Sequence, residues 1–192
     1  MGIGSFFLIS QTFYNENHPQ VLERIADAID TINERVGQGV AWLNTVLVVL
    51  VCVDVFIRYL LSDSSAWIME LEWHLFALIF LLGAGYAFKH DRHVRVDLFY
   101  TKMSERDRAM VDFIGALVFL IPWCIIMIYV STQYAWQSFL IRETSPDPGG
   151  LPARYLIKFA IAAGLFLLLL QAISSLIRSA RTLQQTRNEQ ND

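Results

Sequence analysis

The stretch Trp67–Leu98, WIMELEWHLFALIFLLGAGYAFKHDRHVRVDL, decides how the chain folds. It opens on an amphipathic turn carrying Trp67, Glu70, Glu72, Trp73 and His74, and runs without charge from Leu75 to Phe88. It ends on Lys89, Arg92 and Arg95, with His90 and His93 among them. A tryptophan-and-acid entry with a Lys/Arg exit predicts a membrane-spanning helix held at one interface by aromatic rings and at the cytoplasmic one by positive charge. Working outward, apolar blocks at about residues 40–61, 67–88, 113–134 and 153–177 each reach the roughly 20 residues that cross about 30 Å of hydrocarbon. The reading is an all-α membrane protein: four transmembrane helices plus an N-terminal amphipathic helix. A hydrophobic fraction of 55% and a mean hydropathy of +0.42 exceed what a soluble domain of this size carries. Little chain is left for a soluble catalytic domain.

Orientation follows from the basic residues. Lys89, Arg92, Arg95, Lys102, Arg106 and Arg108 crowd the short connection between the second and third spans, which places that loop in the cytoplasm. The connections at 62–66 and about 135–152 then face outward and both termini lie inside. Arg24, Arg35, Arg178, Arg181 and Arg187 agree. Residues 1–39 form a cytoplasmic N-terminal segment, 40–178 the four-span domain, and 179–192 a cytoplasmic tail. The start, MGIGSFFLIS, lacks a basic region and a small-residue cleavage site, so it is read as mature protein with the first span as an internal signal anchor.

Between Val21 and Val36, apolar residues recur at three- and four-residue steps with Glu23, Arg24, Asp27, Asp30, Asn33 and Glu34 between them. This amphipathic helix either lies in the headgroup region or covers a partner subunit. Gly37 and Gly39 are expected to loosen the chain before the first span. Asp54 and Arg58 are four apart, so they share a face and can pair. Ionisable residues in a span mark functional candidates; here the pair is read as structural, with Arg58 snorkelling and Glu70 or Glu72 as an additional partner. Gly83 and Ala87, with Ala84 and Gly85 beside them, offer a close helix contact. Ser104 and Asp107 read as a helix start whose helix runs on into the third span, and Pro122 predicts a kink. Cys52 and Cys124 are expected to be buried and reduced.

The string Arg142–Lys158, RETSPDPGGLPARYLIK, is dictated by prolines and glycines. Arg154 and Lys158 share a face of the fourth helix, and Glu143 and Asp147 are candidate partners for them. A bare turn explains the prolines but not a lysine set into a span. Gln171 is expected to bond a neighbouring helix.

Several chemistries lack their residues. Haem ligation within a bilayer needs histidines on facing helices, whereas His74, His90 and His93 all belong to one span or its end. Glu70 and Glu72 are two apart and point to different faces, which argues against a carboxylate dyad. A self-sufficient secondary transporter carries repeats and interrupted half-helices, and none is visible. The chain therefore reads as an accessory or scaffold subunit, not an enzyme, with no cofactor or metal of its own and no nucleic-acid partner.

Trp67-x-x-Glu70, Phe80-Leu81-Leu82-Gly83-Ala84-Gly85 and His93-Val94-Arg95-Val96-Asp97-Leu98, with Arg58-Tyr59 and Ser145-Pro146, resemble the DctQ-like small membrane subunit of tripartite ATP-independent periplasmic (TRAP) transporters. The likeness covers about residues 40–178. Ser145–Pro152 with Arg154 and Lys158 is similar to one branch of that family, associated with mannitol or chloroaromatic compounds and with 2-oxo acids or lactate. Leu71 separates Glu70 from Glu72 where the commoner pattern has adjacent acids. The resemblance implies an inner-membrane, sodium-coupled importer. In it a periplasmic protein captures a carboxylate, a DctM-like large subunit holds the substrate and sodium sites, and the small subunit packs against the large one without binding substrate. His93 and Asp97 enter as partner-contact candidates with the residues already named. The alternatives are a membrane anchor of a redox complex and a four-span interaction protein.

Overall fold

The computed structural model describes residues 19–62, 65–90, 100 and 103–191. Among them it contains four long helices: α1 (Pro19–Leu60), α2 (Ala66–Lys89), α3 (Glu105–Leu140) and α4 (Tyr155–Asn191). All four are long and apolar enough to cross a membrane. The all-α reading with four spans holds.

The amphipathic segment and the first span are one helix. α1 has 42 residues, about 63 Å at 1.5 Å per residue, roughly twice the hydrocarbon thickness. Gly37 and Gly39 do not loosen it, contrary to expectation. A helical glycine costs only about 1 kcal/mol, and at Gly37 the missing side chain is what lets the Tyr86 ring of α2 lie against the backbone. Along α1 one run of buried or half-buried positions is Ala26, Ile29, Asn33, Gly37, Val40, Leu43, Leu47, Leu50, Asp54 and Ile57, with half-buried Leu22, Glu23, Asp30, Glu34 and Val36 flanking its first half. Steps of three and four make this a single seam. The apolar stripe predicted at 21–36 is not all on it: Val21, Ile25 and Ile32 face away from the bundle, while Asp30 and Asn33 turn inward.

α3 starts at Ser104, whose Oγ accepts the Asp107 N–H at 3.2 Å, as the capping pattern predicted. The helix widens into a π stretch at Gly115–Leu120, where the Ile121 N–H reaches back to the Ala116 carbonyl. The carbonyl that the Pro122 ring would strike belongs to residue 118, inside this stretch, so the widening accommodates the proline. Where α3 begins and α4 ends, Ala109, Phe113 and Ala116 pack on Leu176, Ala180 and Leu183 as an apolar core.

α2 and α4 approach closely at two glycines. Gly164 of α4 rests on the Leu81 backbone, and Gly85 of α2 faces Asn33 and the Leu167 carbonyl. Gly83 meets only Val40, at an ordinary distance. The close contact in this small-residue run is therefore at Gly85, not Gly83; Ala87 is half-buried. Cys124 is buried, but Cys52 is exposed, which corrects the expectation for the pair; both are free thiols. α1 is covered on one side only, and residue 52 lies off its seam.

Candidate functional site

The connection between α3 and α4 is tightly constrained. α3 ends at Leu140, and the chain turns back through Arg142 and Gly149, both in the left-handed region. Ser145 N–H donates to the Leu151 carbonyl (3.2 Å), Gly150 N–H to the Asp147 carbonyl (3.0 Å), and Arg154 N–H to the Glu143 carbonyl (3.0 Å). The backbone thus folds on itself.

Glu70 locks this turn onto α2. One carboxylate oxygen accepts the Ser145 hydroxyl, and the other accepts the Leu151 N–H at 2.6 Å. A Cβ on residue 150 would come within 2.8 Å of Glu70 Oε2 and still nearer to Ser145, so the lock requires glycine there. Trp67-x-x-Glu70 and the Pro/Gly-rich string are therefore two halves of one latch; Trp67 itself is exposed.

Glu143 makes a second tether. It pairs with Lys158 of α4 and accepts the Ser138 hydroxyl of α3 at 2.6 Å. The Lys158 ammonium and then Ser138 hold the Glu143 carboxyl below the usual carboxylate range. Lys158 Nζ also lies 4.2 Å from the Tyr134 ring centroid. Arg154 is not paired with Asp147. Its guanidinium lies over Trp73, 5.6 Å from the ring centroid. Asp147 is exposed at the tip, its N–H bonded to Ser145 Oγ at 3.1 Å.

Asp54 and Arg58 pair within α1, with Asp54 buried. Glu72, not Glu70, is their neighbour from α2, close enough to act on both charges. One Glu72 oxygen is buried without a hydrogen-bond partner. His93 and Asp97 lie outside the described residues.

Residues 47–182 match the sequence profile of the tripartite ATP-independent periplasmic transporters, DctQ component. The chain belongs to the DctQ family. It is 24% identical over 136 residues to the C4-dicarboxylate TRAP transporter small permease protein DctQ of Vibrio cholerae, covering 71% of this chain and 56% of that protein. A Haemophilus influenzae protein described as a TRAP transporter small permease is 26% identical over 118 residues, covering 61% of this chain and 70% of its own length. The chain thus aligns with little more than half of the Vibrio cholerae relative. Membership makes it a transporter component and a multi-pass membrane protein.

At the opposite end, this DctQ-family chain holds a polar cluster that sequence reasoning saw only in part. Gln171 of α4 accepts from Asn33 Nδ2 (2.9 Å) and donates to Asp30 (2.8 Å), both on α1, so it bonds a neighbouring helix as expected. Ser174 (2.7 Å) and Arg178 (2.5 Å) also donate to Asp30. Lys89 and His90 close on Glu34 at 2.7 and 2.9 Å. Asn33 is 1% exposed. The signal that finds it is the seam of the first span, which, traced back through Gly37, passes through residue 33. Among the described residues no group of three or more His, Cys, Asp or Glu could hold a metal ion. The arrangement braces helices and presents a fixed loop.

Proposed function

We propose that this chain is the small inner-membrane subunit of a sodium-coupled TRAP importer of an organic acid. It braces a DctM-like large permease subunit in the bilayer and docks the periplasmic substrate-binding protein on the loop 141–154. Both termini face the cytoplasm in this reading, which the basic residues of the 89–108 region support. The organic-acid class is supported by the C4-dicarboxylate named for the Vibrio cholerae relative. The observation that carries the docking role is the double tether of the loop. Glu70 of α2 holds the loop at Ser145 and Leu151, and the Glu143 side chain ties it to α3 and α4, while Pro146, Asp147 and Pro148 stay exposed at its tip. A surface ordered before binding loses little entropy on association.

The test is uptake of labelled dicarboxylate, 2-oxo acid and lactate by cells carrying the whole transporter, with and without a sodium gradient. Asp147→Arg changes only an exposed tip. It is expected to slow sodium-dependent uptake while the membrane subunits still copurify. Unchanged uptake removes the docking role, and uptake indifferent to sodium removes the coupling.

A further inference from the structure

Between α2 and α4, near the latched loop, runs an apolar groove of about 540 Å³. Its walls include Phe76, Ala77, Phe80, Ile157 and Ile161, and its mouth carries Trp73 and Arg154. We propose that this groove holds one diacyl phospholipid, with the phosphate on Arg154 and an acyl chain along Phe76 and Phe80.

Charge comes first. Lys158 is offset by Glu143, and both oxygens of Glu70 are taken by Ser145 and Leu151. The Arg154 guanidinium has Trp73 beneath it and no carboxylate in ion-pair contact among the described residues. An arginine just before a span, at the edge of the hydrocarbon, offers phosphate a matching planar fork, while Glu70 and Glu143 act on its charge from beyond ion-pair distance. One such fork matches one phosphodiester. Tryptophan beside it is the residue that favours headgroup depth.

Shape separates a lipid from a partner helix. Where helices of this chain meet closely, they do so on glycine, at Gly37, Gly85 and Gly164. The groove is instead rimmed by Phe76 and Phe80, 64% and 72% exposed, which stand out from α2 and hold a second helix off. A slot between protruding rings, floored by Ala77, suits a flexible chain.

The test takes the full-length chain, with the membrane partners that accompany it into mild detergent, strips lipid and titrates dioleoyl phosphatidylglycerol under native mass spectrometry. One lipid per chain is expected to be retained well above the rest. Losing a charged hydrogen-bond donor in Arg154→Gln weakens retention by about tenfold or more. Ala77→Phe fills the floor, so it loses the lipid while keeping Arg154 and its melting temperature. Glycerophosphoglycerol, the same headgroup without chains, is not retained. Equal retention by wild type and both variants overturns the proposal, as does equal retention of the chain-free headgroup. So does a crosslink in native membranes from Ala77→Cys to a partner subunit, which would place a protein in the groove.

Discussion

Replacing Gly164 by alanine would place a methyl group 2.5 Å from the Leu81 carbonyl oxygen, 2.8 Å from its carbonyl carbon and 3.0 Å from its Cβ. Two of these are backbone atoms of α2, so no rotamer change relieves the clash. Restoring a 3.4 Å contact from 2.5 Å requires α2 and α4 to part by about 0.9 Å. Overpacking of this kind costs about 1–3 kcal/mol, and contacts with an immovable helix backbone belong in the upper half of that range. Alanine recovers about 0.5–1 kcal/mol of helix propensity. The net loss is about 1–2.5 kcal/mol, or a fall of about 2–10 °C in melting temperature for a chain of this length. Gly39→Ala is the matched control: nothing lies within 4 Å of its added carbon, so the propensity gain stands alone and the melting temperature holds or rises. Gly83→Ala, with Val40 at 3.7 Å, follows the control. Thermal unfolding in mild detergent, read by tryptophan fluorescence, distinguishes the three. If Gly164→Ala melts with Gly39→Ala, the close approach of α2 to α4 is wrong, and with it the placement of Glu70 against the loop.

Three further outcomes follow from the tethers. Glu70→Ala removes both acceptors of the latch, so the Leu151 amide, bonded to Glu70 at 2.6 Å, should exchange with deuterium much faster while amides of the α3–α4 core are unchanged; unchanged Leu151 exchange contradicts the latch. Glu143 has a folded pKa below its ordinary 4.5, so its contribution to stability is fully present above pH 4.5 and is lost as pH falls through the lower folded value. Exchange at residues 143–154 should therefore rise as the solution is acidified below that point, and Glu143→Gln should flatten the response. Arg58→Gln strips the partner from buried Asp54 and should lower the melting temperature more than the Asp54→Asn, Arg58→Gln double variant, which leaves no lone charge at that pair; the reverse order refutes the pairing.

Features set by local spacing were readable. The apolar blocks, the Ser104 cap and the i, i+4 pair of Asp54 and Arg58 depend on residues within a turn or two of each other, and the structure has all of them. Contacts between distant segments were not readable. Nothing near Glu70 points to Ser145 and Leu151, which are 75 and 81 residues away. Gly37 and Gly39 looked like breakers because the tertiary contact that rewards Gly37, the Tyr86 ring, comes from the next helix. The glycine run at 83–85 announced a helix contact but not which glycine made it, since that depends on helix rotation. Asn33 falls among the polar residues of the local pattern, yet it is the most buried polar residue of α1. In a helix that leaves the membrane, the inward face is fixed by the seam of its apolar half, not by where the local apolar stripe points.

The central claim, that this DctQ-family chain works as the small subunit of a tripartite importer, is tested most directly by copurification. The chain, tagged at its C-terminus and extracted from its own membranes in mild detergent, should bring down a large polytopic membrane protein of the TRAP permease type, identified by mass spectrometry in a constant ratio to the chain. Recovery of the chain alone, or with a redox subunit, under conditions that keep other membrane complexes intact would contradict the account.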